Sequence, residues 1–203
     1  MAQWQDLIGS MIVGGIILMM LVVFNGNVME SAGIQTFKTA VQGNLTTVAE
    51  VIEYDFRKMG YRLSATQDSA ILFADSSRIK FQGDFDNNGS IDTIQYYLDT
   101  ATGSATSNKS DKVLHRQWNR AIPVNMYLGM LTFKIQYYNR ADTILIPPVA
   151  ATGLIKSVKV AVRIESKDRI YDVRRGGRLS NPFADSTYAG AYWERKIKPK
   201  NVR

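Results

Sequence analysis

The sequence predicts an α+β protein: a long amino-terminal helix, its first part able to span a membrane, packed against an antiparallel β-sheet head. Three observations carry that expectation. Residues 7–24 read LIGSMIVGGIILMMLVVF, eighteen positions without a charge. An apolar stripe at helical spacing follows, through Ile34, Phe37, Val41, Leu45, Val48 and Ile52. After Gly60 the period shortens to two, most plainly in KVAVRI, residues 159–164.

At 1.5 Å rise per residue the apolar run covers about 27 Å, close to the thickness of a bilayer core. A signal peptide is the rival, but residues 1–5 hold no Lys or Arg, and no clear small-residue cleavage site follows the run. A retained membrane helix is therefore expected. No Lys or Arg occurs before Lys38, so the positive-inside rule leaves orientation open. Ser10, Gly14 and Gly15 are small enough to let a neighbouring helix come close. Asn25, Gly26 and Asn27 then interrupt the run, and Gly33 follows; in water these residues favour a break or a melted turn. Beyond them the six-residue stripe resumes the helical period, with Gln42, Asn44, Glu50, Glu53 and Lys58 on the remaining surface. Gly60 is the natural left-handed stop. If both parts join, the helix is about 85 Å long.

Residues 70–74 form a short strand candidate, and a second runs from 77 or 78 to 82. Residues 91–98 alternate and are rich in Ile, Thr and Tyr, which pack well on a pleated surface. Residues 100–111 are polar and small, and read as a loop. Residues 113–118 give the next strand, and 131–138 and 157–164 show the clearest two-residue periods. Val158, Val160, Val162 and Ile164 share one face there, and Lys159, Ala161 and Arg163 the other. A last short strand falls at 169–173 or at 188–193. One sheet face should bury the helix stripe while the other meets solvent. The chain thus divides into a membrane helix segment, 1–27, an amphipathic helix packing on the head, 28–60, a β-rich head, 61–194, and a basic tail, 195–203.

A length of 203 residues suits one domain plus an appendage. The absence of cysteine excludes disulfides, thiol nucleophiles and thiolate metal sites. The formal net charge of +7 is unevenly spread, with Arg195, Lys196, Lys198, Lys200 and Arg203 all near the carboxyl end. That tail is read as a solvated terminus, or as a contact for DNA phosphates, anionic lipid or an acidic partner subunit.

The aspartates gather instead between Asp84 and Asp99, three of them in GDFDNNGSIDT, residues 83–93. Asp84, Asp86, Asn88 and Asp92 occupy relative positions 1, 3, 5 and 9, with Gly89 at 6 and Ser90 at 7. This is the front of an EF-type calcium loop, in which Ser90 would give its backbone carbonyl. The closing Glu is absent, because position 12 is Gln95. The competing reading is a plain hairpin turn, since Asn88-Gly89 between apolar strands is a strong hairpin signal. Three nearby carboxylates repel one another, a strain that a cation would relieve. Both readings stand at this point.

Catalytic signals are lacking. His115 is the only histidine, and no nucleophile elbow or zinc-protease signature appears. RRGGRLSNP, residues 174–182, is glycine-rich but lacks the order of a phosphate loop, and reads as a surface turn. Tyr96/Tyr97 and Tyr137/Tyr138 suit base stacking by composition, but in alternating strands one member of each pair goes to the core.

Several stretches also resemble, in order, the type IV pilin-like proteins, in particular large minor pilins and type II secretion pseudopilins of the W/J kind. YDFRKMGY is similar to that family's helix ending, here Asp55, Arg57, Gly60 and Tyr61. IKFQGDFDNNGSIDTIQYYL resembles its strand, acidic loop and strand ending in Tyr–x–Leu. VLHRQW supplies a Leu–x–Arg step at Leu114 and Arg116, and LTFKIQYYN the strand with Phe133, Tyr137 and Tyr138. IKSVKVAVRI resembles the hydrophobic sheet strand. The beginning departs from the pattern, which has a basic leader cut before Phe and a Glu at mature position five. With Met1 alone removed, Asp6 becomes the fifth residue. The resemblance implies that such a carboxylate meets the terminal amine of a neighbouring subunit; beside Trp4, it also reads simply as a helix-start residue at the water interface.

The resemblance implies a structural, non-enzymatic minor subunit of a pilus-like or pseudopilus-like filament, initiating or capping its assembly. Membrane lipid would hold the helix beforehand, with Asp6, Ser10, Gly14 and Gly15 facing other subunits afterwards. The head would be extracytoplasmic, anchored at the inner membrane and then displayed in the periplasm or at the cell surface. The alternative is a single-span protein whose head binds DNA or another polyanion.

Overall fold

The computed structural model describes residues 2–64, 69–99, 108, 110–167 and 188–199. The helix α1 spans Ala2–Arg57, 56 residues without interruption. The break that Asn25, Gly26, Asn27 and Gly33 favour in water does not occur, and the two parts join as one helix. A glycine inside a helix costs only about 1 kcal/mol, whereas propagation adds a backbone bond for every residue fixed. Further along, the Thr36, Thr39, Thr46 and Thr47 hydroxyls donate to the carbonyl four residues back, so these polar side chains are satisfied within the helix. Gly60 ends the stem with φ +74°, as expected of a left-handed stop.

The head is one antiparallel sheet. Its strands are β1 Ile71–Ala74, β2 Arg78–Gly83, β3 Asp92–Leu98, β4 Lys112–Trp118, β5 Val124–Tyr138, β6 Ile144–Leu145, β7 Ser157–Glu165 and β8 Gly190–Ile197. They lie in the order β1-β2-β3-β4-β5-β7-β8, and β6 pairs with the end of β5 at Tyr137 and Tyr138. Most connections are hairpins, so the order follows the chain. The sheet and the long helix together make the expected α+β architecture.

The helix packs chiefly on β8, β7 and β5. Val41, Val48 and Ile52 of the stripe are buried, and Ile34, Phe37 and Leu45 pack against the same core. Val158, Val160, Val162 and Ile164 face them from β7, and Ile79, Phe81, Ile94 and Tyr96 extend the core beneath the helix end. Phe56 meets Phe81 edge-on, ring centres 5.2 Å apart, and lies 5.8 Å from Tyr96. Burying a side chain of this size contributes about 1.5–3 kcal/mol, so these residues fix where the helix sits.

Two strands run several residues past their expected limits. β5 starts at Val124 instead of 131, because its first half pairs with β4 through the backbone while Val124 and Asn125 stay exposed and give no burial alternation. β8 continues to Ile197, which moves Arg195 and Lys196 out of the expected 195–203 tail and into the sheet. Their charges are answered there, Arg195 by Glu53 of α1 and Lys196 by Asp142. The strand candidate at 169–173, the turn at 174–182, most of the 100–111 loop and the last four residues of the tail lie outside the described residues.

Candidate functional site

The first half of α1 stands apart from the head. Trp4, Met11, Ile16, Met19, Val22 and Phe24 are all at least half exposed. The helix is long and apolar enough to cross a membrane, and the window that qualifies is not buried anywhere against the protein. Asp6, Ser10 and Gly14 recur at four-residue steps and so share a face, with Gly15 beside it. Ser10 Oγ donates to the Leu7 carbonyl at 2.8 Å, which satisfies the hydroxyl within the helix. Nothing lies within 4 Å of where a Cβ would sit on Gly14 or Gly15. This is an open surface of small residues.

The acidic loop joins β2 to β3. Asp84, Asp86 and Asp92 each bring a carboxylate oxygen within 4.8 Å of the others. Asp84 is 0% exposed and Asp92 5%, while Asp86 faces solvent. Asp84 Oδ2 accepts from Arg62 Nη1 at 2.9 Å and from the Gly89 N–H at 3.1 Å. Burial pushes the Asp84 carboxyl up, but the bonds from Arg62 and Gly89 outweigh it and hold it below the ordinary carboxylate value. Asp92 Oδ1 accepts from Trp118 Nε1 at 3.2 Å and Asn119 Nδ2 at 2.8 Å. Asp86 accepts from the Asn88 backbone and side-chain nitrogens, and Asn88 Oδ1 from the Ser90 N–H. Asn87 at φ +63° and Gly89 at φ +87° make the bend. Gln95 lies in β3 opposite Lys80 and Gln117, turned away from the buried Ile94 and Tyr96, and does not close the loop.

The loop is fastened to the end of α1. Gly60 N–H donates to the Gln82 carbonyl at 2.9 Å, Asp84 N–H to Tyr61 at 3.0 Å, and Lys58 Nζ to the Phe85 carbonyl at 2.7 Å. Gly83 permits the approach: a Cβ there would lie 2.8 Å from the Lys58 carbonyl oxygen. Arg62 and Asn119 belong to no motif, and VLHRQW assigns Trp118 no role, so none of the three was visible in the sequence as a partner of the loop. They come from the helix end and from the far end of β4, so only the fold brings them in.

Three of the quoted stretches meet in a second cluster. Asp55 of α1 accepts from Tyr96 Oη at 2.5 Å and from Arg116 Nε and Nη2 at 2.7 and 3.0 Å. Burial, then the Asp55 carboxylate, push the Tyr96 phenol well above its ordinary value. Burial works against the Arg116 charge, but Asp55 and Tyr96 outweigh it, so the guanidinium is held firmly protonated. The cluster joins helix to sheet and leaves none of the three side chains for chemistry.

The tyrosine pairs split as expected: Tyr96 and Tyr137 are buried, and Tyr97 and Tyr138 lie on the other face. Tyr97 stacks on His115 with centres 4.6 Å apart, and His115 Nδ1 lies 2.7 Å from Asn125 Oδ1.

The chain matches no protein-family model and no curated protein. Its fold does have a counterpart, a type IV-like pilin from Thermus thermophilus, with a TM-score of 0.51 at 12% identity. The match covers 79% of this chain and 96% of the pilin. The fold is therefore pilin-like: a long apolar amino-terminal helix whose second half carries a curled antiparallel sheet.

Proposed function

We propose that this protein is a structural minor subunit of a type IV pilus-like or type II secretion pseudopilus-like filament, initiating or capping assembly. The observation that carries the reading is the division of α1. Its second half packs one face, with Val41, Val48, Ile52 and Phe56, into the head, while its first half is apolar and exposed on all sides. Such a surface needs either lipid or neighbouring helices, and a pilin-like subunit uses each in turn. Asp6, Ser10, Gly14 and Gly15 would form the helix–helix contact, with Asp6 seeking a cationic partner such as a terminal amine. The head would sit on the extracytoplasmic side. The role is one of assembly, without catalysis.

Since the chain has no cysteine, single substitutions give a clean test. Ser10→Cys and Gly14→Cys, each labelled at the new thiol with a photo-crosslinker in membranes, should yield crosslinked species with sister subunits or a second copy on irradiation. Chains that stay monomeric at both positions, in cells carrying the assembly machinery, would exclude the filament role. The polyanion alternative draws little support from the described residues, because Lys159, Arg163, Arg195 and Lys196 are each paired with a carboxylate.

A further inference from the structure

We infer that the loop between β2 and β3 is a calcium site held by Asp84, Asp86 and Asp92, and that the bound ion bolts the end of α1 to the sheet. The inference is independent of the filament role.

Two observations carry it. The three carboxylates offer oxygens within 4.8 Å of one another, a spacing at which like charges oppose each other unless a cation intervenes. Independently, the two inner carboxylates each keep one oxygen without a hydrogen bond. Asp84 Oδ1 and Asp92 Oδ2 are buried and have no partner among the described residues, although the other oxygen of each is bonded to protein donors. A buried, unsatisfied carboxylate oxygen is costly, and a hairpin turn alone gives no reason for two at one loop. Arg62 neutralises Asp84 from one side, and Lys58 is directed at the Phe85 carbonyl.

The donor set selects the ion. Every candidate ligand is oxygen, which favours hard divalent cations over zinc or copper. Asn88 and the Ser90 carbonyl follow at the spacing of a calcium loop, and an irregular loop suits calcium's loose shell better than magnesium's strict octahedron. Without a closing Glu, water would complete the shell and the affinity should be modest, near 10⁻⁴ M in order of magnitude.

The placement gives the ion its task. Asp84 is tied to Tyr61 and Arg62 beyond the helix end, and Asp92 to Trp118 and Asn119 at the end of β4. One ion between them would connect stem, hairpin and β4.

The test uses the full-length protein in detergent micelles, stripped with chelator and titrated with calcium chloride by calorimetry and thermal melting. Expected are one calcium per chain and a rise in Tm of about 4 °C or more at saturation, reversed by chelator. Trp118 fluorescence should change in step. Asp86→Asn, at an exposed position, should keep the metal-free Tm while weakening calcium at least about tenfold. No heat and no shift up to about 10 mM calcium would overturn the site, given the range for extracellular calcium modules. So would an equal response to magnesium, or an Asp86→Asn protein that binds as tightly as the parent.

Discussion

Asp55 shows how much a single side chain can be asked to hold. It is fully buried and takes three hydrogen bonds from two partners on different strands. Asp55→Ala would leave the Arg116 guanidinium without its counter-ion and should cost about 3–5 kcal/mol in urea unfolding of the micellar protein. Replacing Asp55 and Arg116 together by Leu and Met should cost clearly less than the sum of the single changes. A second outcome at this scale concerns Tyr96 and Tyr137. Both phenols are raised by burial, and each also by a neighbouring aspartate, Asp55 or Asp75. Their folded pKa exceeds the unfolded value, so the stability they contribute is intact below about pH 10 and is lost as pH climbs through the folded value. In a spectrophotometric titration these two should ionise only with unfolding, whereas Tyr192, pushed up to about 12 by Glu194 and partial burial, should titrate in the native protein.

Among the elements, the long helix was legible, and of the two readings at residues 25–27, a break or a joined helix of about 85 Å, the structure has the second. The stripe from Ile34 to Ile52 identified the buried face because burial follows the helical period. Asn25, Gly26 and Asn27 signalled a break because propensity is local, whereas the helix is held by its whole ladder. Gly26 has open space around it, so Gly26→Ala should raise helicity and stabilise the stem by about 1 kcal/mol, measured by hydrogen exchange across residues 20–33. Gly83→Val should do the opposite at the junction. Its side chain would strike the Lys58 carbonyl, and a loss of about 1–3 kcal/mol is expected in thermal melts. The loop's aspartates were equally legible, since their spacing is written along the chain. Arg62, Trp118 and Asn119 were not, because their proximity depends on where α1 and β4 end.

At the scale of the whole molecule, the free first half of α1 and the second half packed on the head should respond separately to substitution. Ile16→Lys puts a charge mid-way along the apolar run, where insertion becomes about 2.5–3.5 kcal/mol less favourable. Fractionation should then show less protein in the membrane, while the melting of the head stays unchanged, since Ile16 touches none of the core. The fold class was readable from one apolar run and two periodicities, and the order of the strands follows from hairpin connections between neighbours. Absent from any local pattern was the meeting of helix end, hairpin and β4 at one corner. Because α1 runs as one rod from Ala2 to Arg57, it has no elbow at which motion could be absorbed. A displacement of its greasy end is therefore carried along one unbroken backbone ladder to the corner where Lys58, Tyr61 and Arg62 grip the hairpin.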